Sequence, residues 1–190
     1  NVSSVSYDGR KMMKQIIFTI LLIANFQIFS NAQEIQNTIL PNPVLERFKL
    51  GVEAVKEKKY QEAADIFEEL ALLGDIDAQY NYAILTRNGL GRAQNYSEAL
   101  YWTWLSYAGG LSKSEKVLEH ILELVPEDTH QEIREKVSIF ILNKINSGDN
   151  KALLDLGKYY LDILPEEDYN KSYLFYSIAS AFGEDGAKEK

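Results

Sequence analysis

The 190-residue chain contains no cysteine and only 2 histidines. The absence of cysteine excludes disulfides, thiolate metal ligands and a cysteine nucleophile. With so few histidines and no thiolate, the chain also offers few donors for a zinc or transition-metal site. We therefore predict that the protein holds no metal and no cofactor, and that its hydrophobic core alone stabilises it.

Basic residues are outnumbered by acidic ones. The chain has 20 Lys and Arg residues and 28 Asp and Glu residues, which gives a formal net charge of -8 at pH 7. Proteins that bind nucleic acid use patches of lysine and arginine to contact the phosphates. The charge balance therefore argues against a nucleic-acid partner, while the chain length and the 46% apolar content suffice for one domain with a core.

The first residues predict an export signal. Residues 1–12 have no hydrophobic pattern, and we interpret them as a non-native stretch upstream of the true start. Residues 13–32 combine Lys14 with an apolar run and with the small residues Ser30 and Ala32. This pattern is typical of a Sec-type signal peptide, here cleaved after Ala32.

A retained membrane anchor is the alternative for this segment. The apolar run 16–24 is shorter than the ~18–20 residues of a spanning helix, and Asn25 and Gln27 interrupt the hydrophobic stretch. We therefore favour cleavage, and we predict a bacterial protein that is periplasmic or secreted and meets the membrane only through its signal peptide during export. Residues 33–42 are polar, which predicts a linker.

A repeated pattern of helices and glycines occupies the rest of the chain. Its best example runs from Asp77 to Gly110 and predicts two helices joined by a turn at Gly89-Leu90-Gly91. The start of this unit, Gly74-Asp75, recurs 74 residues later at Gly148-Asp149, and Gly183 follows after another 35. Self-similarity at a period of about 37 residues is the signature of a helical repeat array.

The second helices of the units align on their closing glycines, Gly74, Gly110 and Gly183. Each has a tyrosine, a small residue three positions later and a large apolar residue three positions after that: Tyr60, Tyr96 and Tyr169; Ala63, Ala99 and Ser172; Ile66, Trp102 and Phe175. The small residues let paired helices approach closely, and the large ones fill the gap between pairs. Stacked pairs bury apolar surface that one pair alone leaves exposed.

We predict an all-α fold, a solenoid of about four antiparallel helix pairs. The predicted pairs are 43–57 with 60–73, 77–88 with 95–108, 112–125 with 127–146, and 151–163 with 168–182. The third pair lacks the aligned tyrosine, small and large apolar residues, which we call the repeat columns. It matches the others in length and carries a core stripe at helical spacing, made of Ile133, Val137, Phe140, Ile141 and Ile145.

The repeats resemble Sel1-like repeats, a branch of the TPR-like helical repeats. The matching residues are Ala78-Gln79, Gly89-Leu90-Gly91, Asn95, Ala99, Trp102 and Gly110 in the second pair, and Ala152, Leu156-Gly157, Tyr160, Asp168, Phe175-Tyr176, Ala179 and Gly183 in the fourth. The fourth pair departs from the pattern, since Leu164-Pro165-Glu166 stands where the Gly-x-Gly is expected. On this resemblance, 43–183 is the repeat domain and 184–190 begins a further, truncated repeat.

The resemblance implies a right-handed superhelix whose concave face contacts other proteins. Members of this family are often exported bacterial proteins, and some support envelope assemblies. We therefore predict a scaffold that is not an enzyme and that binds a protein partner within a cell-envelope assembly. Such repeats serve many partners, so the resemblance does not identify this one.

Six residues are predicted to contact the partner. Tyr82, Thr86, Asp155 and Tyr159 lie on the first helices of their pairs, which line the predicted concave face. Tyr101 and Trp104 cannot both share the helix face of Trp102, which the repeat columns assign to the core. One of the two is therefore expected to be exposed, and exposed aromatic residues often anchor partners.

Two alternative functions stay open. The abundant tyrosines suit a periplasmic protein that binds carbohydrate or peptidoglycan, since aromatic faces stack on sugars. The acidic run Glu166-Glu167-Asp168 suits a hydrolase, provided that two carboxylates face one cleft about 5–10 Å apart. We favour a helix cap at Asp168 for this run.

Three further features have ordinary structural interpretations. His120 and Glu123 lie three residues apart and offer two metal ligands, which are too few for a site. We interpret His120 as part of a solvated helix surface and His130 as an exposed residue in the first turn of its helix. Gly89-Leu90-Gly91 follows no strand and precedes no Lys-Ser/Thr pair, so we interpret it as a turn rather than a phosphate-binding loop.

Overall fold

The computed structural model describes residues 42–184. The predicted upstream stretch, the signal peptide, nearly all of the linker and all but the first residue of 184–190 lie outside the described residues. Of the described residues, 42–46 belong to one compact unit and 47–184 to another. None of the described helices combines the length and the apolar character needed to span a membrane.

All regular secondary structure within residues 42–184 is helical, which confirms the predicted all-α class. The eight α-helices of this range are α1 (Pro43–Lys56), α2 (Tyr60–Leu72), α3 (Ile76–Asn88), α4 (Tyr96–Ala108), α5 (Lys113–Ile121), α6 (Glu127–Asn146), α7 (Ala152–Lys158) and α8 (Tyr169–Ala181). A 3-10 turn, Leu122–Leu124, extends α5, and a π-helical turn, Tyr159–Ile163, extends α7. The helix bounds agree with the predicted ones to within a few residues.

The recurring glycines end helices in the left-handed conformation. Their φ angles are +91° at Gly74, +90° at Gly110, +94° at Gly148 and +81° at Gly183. A Cβ atom makes this conformation costly for other L-residues, which explains why glycine recurs at these positions. Of the helices that follow these glycines, α3 begins with a side-chain cap, because the Asp75 carboxylate accepts from the backbone N–H of Ala78. Asn95 caps α4 and Asp168 caps α8 in the same way, by accepting from the backbone N–H groups of Glu98 and Lys171.

The Gly-x-Gly segment is a turn, as predicted, and it lies directly against an earlier helix. Gly89 has a φ of +66° and ends α3. Gly91 has a φ of +79°, and a Cβ atom added there would lie 2.3 Å from the carbonyl oxygen of Tyr60. Only glycine therefore lets this turn pack on the first turn of α2.

The small and large columns of the first two units lie in the core. The small residues Ala63 and Ala99 are fully buried, and Ile66 and Trp102 are almost so. Sequential packing joins α2 to α3 and α3 to α4, and α7 packs on both α6 and α8. The third predicted pair is different, because α5 and α6 each pack against α4 and make little contact with each other.

Replacing two glycines by alanine separates backbone strain from steric overlap. Gly110→Ala adds a Cβ with no atom within 4 Å, so we expect only the cost of the left-handed backbone, about 1–2 kcal/mol. Gly91→Ala adds the overlap with Tyr60, so we expect a loss of about 2–5 kcal/mol. Chemical unfolding of both variants measures the difference, and equal losses would contradict the close packing of the turn on α2.

Candidate functional site

Five of the six predicted contact residues are buried. Tyr82 is 0% exposed, Thr86 1%, Trp104 3%, Tyr159 5% and Asp155 8%. A side chain without exposed surface does not touch a partner directly, so these five belong to the core in this structure. The sixth residue, Tyr101, is partly exposed.

Tyr82 holds three successive helices together. Its hydroxyl donates to carboxylates on both neighbours, at 3.3 Å from Glu68 of α2 and 3.1 Å from Glu98 of α4. The guanidinium of Arg92 lies 5.5 Å from the centre of its ring and binds Glu68 and Asp65. Burial and the nearby carboxylates raise the pKa of Tyr82, because the phenolate is disfavoured there. Tyr82 is thus a structural residue between repeats.

Trp104 and Tyr159 belong to a second buried cluster. The Tyr159 hydroxyl donates to the carbonyl of Arg134 at 3.1 Å. The Arg134 guanidinium lies 5.4 Å from the centre of the Trp104 ring and donates to the carbonyl of Ile163 at 3.1 Å. The cluster therefore joins α4 and α6 to the π-helical turn after α7.

His130 was expected at the surface, and that interpretation is wrong. It is 3% exposed, and its ring meets Trp104 edge to face at 5.8 Å. A polar ring is tolerated in this position because its Nδ1 atom lies 2.8 Å from a carboxylate oxygen of Glu127. His120, in contrast, is exposed as predicted.

Asp155 forms a partly buried ion pair. Its carboxylate lies 3.3 Å from the Lys144 ammonium, which also contacts Asp149 at 3.2 Å. Burial raises the pKa of Asp155, and the Lys144 charge opposes that rise. This pair links the end of α6 to α7, so Asp155 has a structural role.

The acidic run after α7 serves as a cap. The carboxylate of Asp168 accepts a hydrogen bond from the backbone of Lys171 at 3.0 Å and pairs with the Lys171 ammonium at 3.1 Å. The backbone hydrogen bond lowers the pKa of Asp168, followed in importance by the side-chain bond. Throughout residues 42–184, no group of three His, Asp or Glu residues is arranged to hold a metal ion.

Tyr101 lines a groove between α4 and α6, which we call the α4–α6 groove. Its volume is about 610 Å³. Its apolar lining residues are Tyr101, Ile133, Ile139 and Phe140, and its polar ones are Asn95, Ser97, Glu98, Thr129, Glu132, Lys136 and Asn143. The two aromatic rings of the lining belong to a cluster: the centre of the Tyr101 ring lies 6.5 Å from that of Phe140 and 4.8 Å from that of Trp102. The edge-to-face arrangement holds these rings in place.

The rim of the α4–α6 groove combines exposed apolar and charged side chains. Ile139 is 57% exposed. One turn earlier, Lys136 forms an exposed ion pair with Glu132 at 2.6 Å. The groove therefore combines apolar and polar side chains, as surfaces that bind protein segments do.

Sequence reasoning missed Ile139. It placed Ile133, Val137 and Ile141 correctly in the core, where each is at most 4% exposed. Ile139 lies off this stripe, at the start of the apolar run 139–142. A run of apolar residues wraps around a helix, so some of its members must lie outside the core face. That run is the signal that points to Ile139.

Comparison with known proteins assigns no family. No family model matches the chain, and no curated protein matches it at a significant level. The argument for function therefore depends on the geometry of the described residues.

The burial of Tyr82 predicts how its replacement acts. We expect Tyr82→Ala to lower the free energy of unfolding by about 3–5 kcal/mol, because it leaves a cavity and removes the hydrogen bonds to Glu68 and Glu98. Tyr173→Ala, at a residue that is 76% exposed, is the control and should change stability by less than about 0.5 kcal/mol. Urea unfolding measures both, and a small effect at Tyr82 would contradict its role in the core.

Tyr101 predicts a loss of stability at alkaline pH. Burial raises its pKa to about 12 from an ordinary value of 10.0. Its phenol is protonated in both states below about pH 10, and between about pH 10 and 12 only the unfolded state gains by ionising. We expect Tyr101→Phe to lose less stability than the parent chain over this range. Urea unfolding at several pH values tests this, and identical pH dependence would refute it.

Proposed function

We propose that the chain is a helical-repeat scaffold that binds another protein, and that the α4–α6 groove is its contact surface. The observation that carries this proposal is a recess lined by the aromatic rings of Tyr101 and Phe140 and by the exposed side chain of Ile139. Apolar surface carries a free-energy cost while it is exposed to water, and a partner that covers the surface removes this cost. A volume of about 610 Å³ accommodates a few apolar side chains of a partner segment.

The partner segment that fits is an amphipathic helix. Such a helix lays one apolar stripe into a groove between helices and keeps its polar face in water. Tyr101, Phe140 and Ile139 would contact the apolar stripe, and the Glu132–Lys136 pair would lie beside the polar edge. The proposed contact lies on the second helices of two pairs and includes Tyr101, one of the six predicted residues, whereas four of the six were predicted on first helices.

The wider proposal is an exported scaffold of the Sel1-like kind, a right-handed solenoid of about four helix pairs. It is supported by the left-handed glycines at the repeat period and by the buried small residues in the columns. Periplasmic or secreted localisation and a place in a cell-envelope assembly follow from the predicted signal peptide and from the resemblance. We propose binding, not catalysis, as the activity.

Binding of carbohydrate or peptidoglycan is the second candidate. The observation that favours it is the exposure of tyrosine rings, 63% at Tyr169 and 76% at Tyr173, both on α8. Retention on isolated cell wall, abolished by Tyr173→Ala, would support this alternative.

A paired substitution tests the proposed contact surface. Ile139→Glu puts a charge on the groove edge, and we expect at least a tenfold loss of partner recovered by crosslinking in the cell envelope. Leu50→Glu is the matched control, because Leu50 is also a 57% exposed aliphatic residue on a helix. It lies on α1, away from the groove, and should recover the partner at the parental level.

Two outcomes would count against the groove. If both variants recovered the partner equally well, contact would lie elsewhere on the chain. If circular dichroism showed that Ile139→Glu loses helicity, its effect on binding would be a folding defect. The milder variant Ile139→Ala, which removes the contact without adding a charge, would then test whether Ile139 contacts the partner. Retention of Ile139→Ala binding at the parental level would refute the proposal.

A further inference from the structure

The lining of the α4–α6 groove carries an unbalanced charge. Its charged residues are Glu98, Glu132 and Lys136. Lys136 binds Glu132 at 2.6 Å, so these two charges offset each other on the α6 side of the groove. Glu98, on the α4 side, therefore leaves one net negative charge in a recess that also contains the rings of Tyr101 and Phe140.

The hydrogen-bond partners of the Glu98 carboxylate are neutral groups. It accepts from the Tyr82 hydroxyl at 3.1 Å and from the side-chain amide of Asn95 at 3.4 Å. The Tyr82 hydroxyl has a single proton, which it shares between Glu98 and Glu68. The cation beside this network, Arg92, pairs with Glu68 on the α2 side. Within residues 42–184, Glu98 is thus hydrogen-bonded but has no lysine or arginine partner.

The structural role of Glu98 does not use its full charge. Glu98 lies in the first turn of α4, and its backbone N–H donates to the capping side chain of Asn95 at 3.1 Å. An acidic residue at this position is favoured by the partial positive charge of a helix N-terminus, which is smaller than a unit charge. The hydrogen bonds from Tyr82 and Asn95 need only acceptor atoms, which a glutamine side chain also supplies. The negative charge of Glu98, which is partly exposed, is therefore available to a partner.

We propose that the partner segment in the α4–α6 groove carries a lysine or arginine that pairs with Glu98, beside the apolar stripe that covers Ile139. This inference rests on the proposed function and adds the chemistry by which the groove selects its partner. Opposite charges attract more strongly beside apolar groups than in open water. Complementary charge also discriminates among segments that have the same apolar stripe.

Charge argues against a second copy of the chain as the occupant of the groove. The chain has a formal net charge of -8 at pH 7, so two copies repel each other as they approach. A partner segment that presents a basic residue to Glu98 brings the opposite charge instead.

Two designed helical peptides, both fluorescently labelled, serve as probes of the groove. They share one leucine stripe, and a residue beside the stripe is lysine in the first peptide and glutamine in the second. Fluorescence anisotropy measures the affinity of each peptide for the full chain, and we call the ratio of the two affinities the lysine preference. We expect a lysine preference of about fivefold in the parent chain. Added salt should reduce it, because the pair is only partly shielded from solvent.

A pair of variants assigns the lysine preference to Glu98. Glu98→Gln removes the charge and keeps an acceptor for the Tyr82 hydroxyl, and we expect it to abolish the lysine preference. Glu62→Gln is the matched control, because Glu62 occupies the same column as Glu98 when the repeats are aligned on their closing glycines and lies outside the groove. It changes the net charge of the chain equally and should keep the lysine preference. Urea unfolding checks that both variants fold.

The outcomes separate a wrong charge pairing from a wrong contact surface. Equal lysine preferences in Glu98→Gln and Glu62→Gln would overturn the inference, and the groove would remain the contact surface if Ile139→Ala weakened binding of both peptides. If neither peptide bound, or if Ile139→Ala weakened neither, the contact surface would be wrong and the inference would fail with it.

Two further measurements keep the inference open to refutation. If Glu98→Gln failed to fold, a third peptide with glutamate in place of the lysine would test the parent chain, and binding as tight as that of the lysine peptide would overturn the inference. A concentration-dependent dimer, seen by light scattering and converted to monomer by Ile139→Glu, would make a second copy the occupant and would also overturn it.

Discussion

The fit of one repeat onto the helix before it is the contact on which the described array depends. The turn at Gly89–Gly91 lies on the first turn of α2, so closely that the Tyr60 carbonyl leaves no room for a Cβ at Gly91. This approach brings Arg92 over Asp65 and Glu68, and Tyr82 between Glu68 and Glu98. A backbone constraint and a charged network therefore act at the same interface. Without glycine at this turn, the network would lose its geometry.

Much of this fold could be predicted from spacing alone. The period of the closing glycines reflects a local requirement, a left-handed residue at the end of a helix, and local requirements are visible in a sequence. The burial of Tyr82, Thr86 and Tyr159 could not be predicted in the same way. Periodicity identifies the residues that share a helix face, but it does not show how many neighbours cover that face. Because α3 packs against both α2 and α4, a face expected to meet a partner is already covered within the chain.

His130 illustrates a second limit. A histidine in the first turn of a helix is ordinarily placed at the surface, yet here it packs on Trp104 with Glu127 as its polar neighbour. Such burial depends on residues from α4 and α6 that meet only in the folded chain. The α4–α6 groove has a similar origin. The third repeat lacks the recurring spacing of small and large residues, and α6, with 20 residues, is longer than the 9-residue α5. The groove therefore lies where the chain departs from the repeat pattern.

A repeat array stabilises itself by covering each helix with the next, so apolar residues left uncovered indicate where this rule stops applying. In the described chain it stops at the α4–α6 groove, where the packing of an irregular repeat is incomplete, and at α8, where Tyr169, Tyr173 and Leu174 are exposed. The charges around the two surfaces differ. An ion pair with both signs borders the groove, whereas carboxylates border α8 at both ends. At the α4–α6 groove, we propose that apolar contact supplies the affinity and that the bordering charges select among partners. On this proposal, a partner segment covers the apolar surface that the irregular third repeat leaves open.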